Sequence, residues 1–177
     1  FQKKYGEQNI MAIAIEDSNL QEISHFKDWA EVSNKIKYIS GVEQVVSITE
    51  LPLLHKNTLE KKFDIKLWYD SLIITQDELD IAFSSFLVQP FYKGLLMNEK
   101  NHVTAIMIKL NNEVLLTSER EDLIDSIKAI TEAYAEKYKI KIHYSGLPYL
   151  RTVNSKKVKE EISIFIILAL LVTTFIL

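Results

Sequence analysis

The amino-acid sequence predicts an α+β fold built from two β-α-β units in tandem, with a long inserted segment between them. Three observations lead to this prediction. A strand, a helix and a strand follow one another twice, the segment between the two sets is too long for a simple loop, and the chain ends on a stretch without charge. The 177 residues, 47% hydrophobic and 25% charged, suffice for a domain with a buried core.

The first β-α-β unit covers residues 1–49. Asn9 to Glu16 form a short apolar run that predicts a strand, and apolar residues at helical spacing predict a helix from Leu20 to Ile39. Gly41 ends this helix, and Val42 to Thr49 predict the second strand. Three residues that commonly cap helices stand before the helix: Asp17, Ser18 and Asn19.

The second unit covers residues 102–150. His102 to Leu110 predict a strand, and Ile140 to Ser145 alternate between apolar and polar residues as a half-buried strand does. The sequence from Ser118 to Glu121 fits a capping box, which places the start of a helix there. The apolar stripe of this helix consists of Leu123, Ile127, Ile130, Tyr134 and Tyr138.

The two units together predict a ferredoxin-like, split βαβ antiparallel sheet with the first and third strands in the centre. The strands around Ile13 and Ile106 are apolar on both faces, whereas those around Gln44 and Lys141 carry the polar residues expected at edges. Two helices cover only one face of such a sheet. The other face, lined with small alanines, needs a cover from the insertion or from a neighbouring domain.

Residues 50–101 form the insertion, in which we expect a helix and a hairpin. The helix runs from Gln76 to Gln89 and is ended by Pro90, and the hairpin turn lies at Asn98 to Asn101. Aromatic residues are concentrated here, and they form either the core of the insertion or the wall of an apolar cleft. For the cleft, the candidate substrate contacts are Trp68, Phe83, Phe86, Phe91, Tyr92 and Met97.

Residues 151–177 join a polar helix, Thr152 to Glu161, to a stretch without charge from Ile162 to Leu177. A surface helix has a polar face and this stretch has none, so we interpret it as the start of a transmembrane helix rather than as a buried helix. The stretch is shorter than a full span, and we expect the chain to be a piece of a longer polypeptide. The flank before this stretch carries Lys156, Lys157 and Lys159. The positive-inside tendency therefore favours a cytoplasmic position for this flank, although large domains often cross the membrane regardless of such charges.

The sequence has no recognisable constellation of catalytic, metal-binding or cofactor-binding residues. Its four histidines lack metal-ligand spacing, cysteine is absent, and its four glycines form neither a phosphate loop nor a dinucleotide fingerprint. A net charge of -3 provides no basic excess for nucleic acid. We therefore expect no enzyme activity, no metal, no cofactor and no nucleic-acid partner.

The order of "YGEQNIMAIAIED", the two units with their insertion, "SGLPYLR" and an apolar helix resembles one known domain. This is the porter domain between the first and second transmembrane helices of resistance-nodulation-division (RND) transporters, particularly the MMPL and hydrophobe-exporter branch. The resemblance implies a proton-driven exporter of lipids or other hydrophobic molecules in the inner (cell) membrane, with this domain on the extracytoplasmic (periplasmic) side. It implies as partners the membrane, a hydrophobic small molecule or lipid, and the remaining transmembrane helices and second porter domain of the same parent chain.

A second interpretation is an extracytoplasmic sensor or scaffold that is anchored by one helix and transports nothing. An acylphosphatase-like enzyme on the same fold is a third, but no phosphate-binding loop is present to serve it. The parent sequence discriminates the first two, because a transporter would carry a second copy of this domain and many hydrophobic spans.

Overall fold

In a computed structural model, which describes residues 9–57, 62–69, 75–87, 96–98 and 100–176, the chain has an α+β fold with a five-stranded antiparallel sheet. The strands are β1 Ile10–Glu16, β2 Val42–Ser47, β3 Pro52–Asn57, β4 Lys62–Leu67, β5 Met97–Asn98, β6 Val103–Leu110 and β7 Lys141–Ser145. The helices are α1 Ile23–Lys37, α2 Gln76–Leu87, α3 Asn112–Leu115, α4 Glu119–Tyr138 and α5 Leu147–Ile176.

Strand β1 lies in the middle of the sheet, whose order is β2-β6-β1-β7, and the short β5 pairs with β6 beyond the end of β2. Ile13 of β1 stands opposite Ile106 of β6 on one side and Tyr144 of β7 on the other. The predicted central positions of the first and third strands and the edge positions of the second and fourth are confirmed. The apolar residues on both faces of β1 and β6 explain this order.

The core lies between the sheet and the two long helices α1 and α4. Strand β1 turns Met11, Ile13 and Ile15 toward this side, and none of the three is accessible to solvent. Burying one such side chain contributes about 1.5–3 kcal/mol to folding. The helices contribute Phe26, Trp29, Ile36, Leu123, Ile124, Ile127 and Tyr134.

The opposite face of the sheet is only half-buried at its small central residues, Ala12, Ala14 and Ala105. The described aromatic residues of the insertion lie elsewhere, on the helical layer, where Trp68 and Phe83 contact Phe26 of α1. The described aromatic residues of the insertion thus pack against α1, whereas β5 joins the sheet.

The predicted start of α1 is wrong by about one turn. The helix begins at Ile23, and its N-cap residue is Glu22, which makes no side-chain capping bond. Asp17 does not cap the helix because its carboxylate accepts a hydrogen bond from the backbone N–H of Asn19, which makes a local turn before α1 begins. The second strand also ends early, at Ser47, whose hydroxyl accepts from Thr49 and caps a 3-10 turn over Ile48–Glu50.

Helix α4 starts where the sequence predicts, with Ser118 at the N-cap, but the expected capping bond is absent. The Thr117 hydroxyl accepts from the backbone N–H of Glu119 instead. A short helix that the sequence did not predict, α3, precedes it, with Asn111 as a cap that accepts from two backbone N–H groups.

The insertion contains more strand than predicted. Helix α2 begins at Gln76 as expected, and β5 pairs with β6 around the predicted turn. A further antiparallel hairpin, β3 with β4, occupies the region before α2, where no strand was predicted. The predicted end of the helix at Gln89 and Pro90 lies outside the described residues.

Gly146 connects β7 to α5 through a tight approach to the first strand. Its φ of +110° is in the region that favours glycine, and a Cβ built there would lie 2.3 Å from the backbone oxygen of Ile10. The turn therefore requires glycine for two independent reasons. Helix α5 then runs without interruption from Leu147 to Ile176, which confirms the predicted continuity of the polar and apolar parts.

We expect the substitution Gly146→Ala to lower the free energy of unfolding by about 3 kcal/mol or more, because backbone strain of about 1–3 kcal/mol adds to a clash with a backbone oxygen. Gly41→Ala is the matched control: φ is +92° there too, but the nearest atom, at 3.0 Å, is the movable Leu123 side chain. Urea unfolding measures both. Equal losses for the two variants would show that the close approach to Ile10 contributes nothing.

Candidate functional site

The second half of α5 projects away from the folded domain. Every residue from 157 to 176 is exposed, including large apolar side chains such as Phe165 (71%) and Leu168 (58%). From 162 onward these residues carry no charge, so the exposed helix is apolar on all sides. A contiguous exposed apolar surface, such as the one along residues 162–176, marks a site that binds another apolar surface.

No helix among the described residues is both long enough and apolar enough to cross a membrane. The described chain therefore does not confirm the predicted membrane-spanning segment. The alternative in which this stretch is a buried helix of the domain is wrong, since residues 162–176 are exposed.

The first half of α5 is attached to the domain. Pro148 and Thr152 are buried, and the Thr152 hydroxyl donates to the carbonyl of Pro148. Tyr149 packs on Tyr144 of β7 with ring centroids 5.3 Å apart. These contacts join the base of the projecting helix directly to the edge of the sheet.

Two ion pairs join the middle of α5 to α4. Lys156 Nζ lies 2.5 Å from Asp125 Oδ2, and Lys159 Nζ lies 2.7 Å from Glu121 Oε1. The hydrogen bond from Lys159 holds the pKa of Glu121 below its usual range, and the bond to Asp125 raises the pKa of Lys156. Three of the four side chains are well exposed and Glu121 is partly exposed, so each pair contributes little to stability. The pairs connect α5 to α4 where α5 leaves the domain.

A buried aromatic cluster occupies the junction between the insertion and α1. Trp68 stacks on Phe86 with centroids 4.8 Å apart, and it meets Phe83 edge-on at 5.1 Å. Phe26 of α1 contacts Trp68, Phe83 and Tyr69 in edge-to-face geometry. The indole N–H of Trp68 donates to the carbonyl of Ile48, which fixes the ring in this position.

The structure brings together three of the six predicted substrate contacts and places a fourth elsewhere. Trp68, Phe83 and Phe86 share the aromatic cluster and are nearly inaccessible to solvent. Met97 is buried in β5 and lines a separate cavity. Phe91 and Tyr92 lie outside the described residues. Contact of these residues with a ligand stays a prediction.

A polar network that the sequence did not predict lies where β1 ends. The carboxylate of Asp17, whose side chain is 2% exposed, accepts from Nδ1 of His25 at 2.8 Å and from the Tyr134 hydroxyl at 2.9 Å. Because a carboxylate only accepts, Nδ1 of His25 carries a proton. Burial raises the pKa of Tyr134 well above its usual range, and the charge of Asp17 adds to this effect, so the hydroxyl stays a donor.

The network continues along the surface between α1 and α4. His25 packs on the ring of Tyr138 at 3.7 Å, and the Tyr138 hydroxyl donates to Asp28, which also accepts from Lys137. Burial acts to raise the pKa of Asp28, but the bonds from Lys137 and Tyr138 outweigh it and lower that pKa overall. The network therefore ties β1, α1 and α4 together through charge-assisted hydrogen bonds.

Sequence reasoning missed this network because nothing local signals it. Asp17 and Tyr134 are 117 positions apart, and only the folded sheet brings them together. Among the described residues no group of three or more histidine, cysteine, aspartate or glutamate side chains is arranged to hold a metal ion.

We expect Tyr134→Phe to destabilise the protein by about 1.5–3 kcal/mol, because it removes a hydrogen bond to a buried ionised carboxylate. Tyr138→Phe is the matched control, since it removes a tyrosine donor from the less buried Asp28 and should cost less than about 1 kcal/mol. Chemical unfolding of both variants is the measurement. Equal losses of stability would show that the hydrogen bond from Tyr134 to Asp17 contributes no more than the bond from Tyr138 to Asp28.

No model of a known protein family matches the chain, and no curated protein shows significant similarity to it.

Proposed function

We propose that the chain is the extracytoplasmic part of a membrane protein and that the exposed half of α5 lies in lipid. The observation that carries this proposal is a helix apolar on all sides, uncharged from 162 to 176, that continues without a break from a domain-packed base. The uncharged residues extend about 22 Å, most of the way into a hydrocarbon layer of about 30 Å. Lipid would cover this surface at no desolvation cost.

Within this proposal, the domain is a porter domain of an RND-type, proton-driven exporter of lipids or other hydrophobic molecules, in the inner (cell) membrane. The order β2-β6-β1-β7, with a long helix between β1 and β2 and another between β6 and β7, supports a ferredoxin-like, split βαβ arrangement. The insertion between the two units adds a separate helix and hairpin. Each of these features agrees with the resemblance.

The attachment of α5 supports a mechanical role for this domain. Because Tyr149 packs on β7 and Lys156 and Lys159 pair with α4, a tilt of the lipid-embedded half would move the sheet edge and α4 together. A porter domain needs such a connection so that movement of the membrane helices changes the path along which the cargo moves.

The second candidate function is a membrane-anchored sensor or scaffold without transport activity. The same exposed helix supports it, because a single anchor also requires an apolar surface. The parent sequence separates the two. A second copy of the β-α-β, insertion, β-α-β order with several apolar spans identifies a transporter, whereas one span followed by a cytoplasmic domain identifies a sensor.

We expect Leu168→Lys to reduce co-flotation of the full chain with phospholipid vesicles by roughly a hundredfold, because lysine at the centre of a membrane helix costs about 3 kcal/mol. Leu116→Lys is the matched control, since Leu116 is also exposed but lies on the domain. It should float as the unmodified chain does. Unchanged flotation of the Leu168 variant would exclude lipid as the cover of α5.

The cargo prediction concerns the aromatic cluster. We expect Phe86→Leu to weaken binding of a fluorescent fatty acid several-fold, since it removes one stacked ring beside Trp68. Ile36→Val, a core change on α1 that costs about 0.5–1.5 kcal/mol, is the control for stability and should leave binding unchanged. If affinity falls in both variants in proportion to stability, the rings serve only as core.

A further inference from the structure

A cavity of about 250 Å³ opens beside the end of β1, apart from the aromatic cluster and from α5. Its floor consists of four buried residues, Asp17, Leu20, Met97 and Thr104. Its rim consists of three exposed polar residues, Ser18, Gln21 and His102. Residues from both β-α-β units and from the insertion thus meet around one opening.

The charge of the cavity is set by Asp17. Its carboxylate has about four acceptor positions, and three donors among the described residues occupy three of them: the Asn19 backbone, His25 and Tyr134. Oδ2 accepts the bonds from His25 and Tyr134, whereas Oδ1 accepts only the Asn19 N–H from the described part of the chain and so has one position open to a ligand. The described lining includes no lysine or arginine, so this carboxylate has no cationic side chain opposite it across the cavity.

Thr104 contributes a hydroxyl to the same lining. The residue is 1% exposed, and the hydroxyl makes no side-chain hydrogen bond to another described residue. A hydroxyl and a carboxylate that line one cavity suit a ligand with several N–H or O–H donors.

We propose that this cavity binds a primary ammonium group on a short aliphatic stem. Asp17 Oδ1 and the hydroxyls of Thr104 and Ser18 accept the three N–H donors, and Leu20 and Met97 pack against the stem. The carboxylate in a poorly solvated position attracts a cation and repels an anion, which excludes phosphate and carboxylate ligands. A quaternary ammonium is also disfavoured, because it has no N–H to donate and the described lining has no aromatic ring except the imidazole of His102.

Methionine methyl NMR of the full chain in maltoside micelles tests the proposal. The chain has three methionines, and only Met97 lines the cavity, so Met11 and Met107 serve as internal references. At about pH 8, where a primary amine is protonated, n-butylammonium is titrated against n-butanol and butyrate. We expect a saturable shift of the Met97 methyl with n-butylammonium, with millimolar affinity, a weaker shift with n-butanol and none with butyrate.

Two variants test the assigned acceptors. Thr104→Val keeps the side-chain shape and removes the hydroxyl, and it should weaken n-butylammonium binding roughly tenfold. Ser18→Ala should weaken it less, and it changes only an exposed residue, so folding is preserved. Thr117→Val, an exposed threonine on the loop between α3 and α4, is the matched control and should bind as the unmodified chain does.

The ammonium group could belong to a lipid head group or to a free amine. A lysophospholipid with an ethanolamine head group, tested beside its choline counterpart, distinguishes these two sources. A Met97 shift with the ethanolamine lipid alone indicates the lipid, and a shift with n-butylammonium alone indicates a free amine; both agree with the proposal. Equal Met97 shifts for n-butylammonium, n-butanol and butyrate would overturn it. So would the absence of any Met97 shift, or unchanged affinity in both the Thr104 and the Ser18 variant.

Discussion

The register of β1 between β6 and β7 is the constraint on which the rest of the structure depends. At its first residue, Ile10, the backbone lies so close to Gly146 that only glycine fits, and this contact sets where α5 starts. At its other end the N–H of Asp17 donates to the carbonyl of His102, which places the carboxylate beside the cavity. The two features are about 20 Å apart on one strand. A shift of β1 by one residue would displace both and turn its buried face to the outside.

Helix α5 has one half that packs on the domain and one half that is exposed. Its base buries Pro148 and Thr152 against the domain, whereas its far half exposes apolar side chains in every direction. The ion pairs of Lys156 and Lys159 stand at the boundary between the two. Because exposed pairs add little free energy, the buried base holds the helix and the ion pairs mainly fix its direction.

The aromatic cluster and the Asp17 network lie on either side of α1. Phe26 faces the rings of the insertion, while His25, its neighbour in sequence, contacts Asp17 and the ring of Tyr138 on α4. Gln76, at the start of α2, accepts from the backbone N–H of Ile23 and donates to the carbonyl of Gln21. The start of α1 is thus joined to the insertion through Gln76, and Gln21 also lines the cavity.

The sequence by itself determined the two strand-helix-strand sets, the central and edge positions of their strands, and the unbroken helix at the end of the chain. These follow from local periodicity and from apolar residues on one or both faces, which are properties of short segments. Tertiary structure contributed to the start of α1, because Asp17, besides its local turn with Asn19, contacts His25 and Tyr134 and does not cap the helix. It also decided the packing of the aromatic residues of the insertion on α1 and the cavity beside Thr104. These features arise from contacts between residues far apart in the chain, which no local pattern encodes.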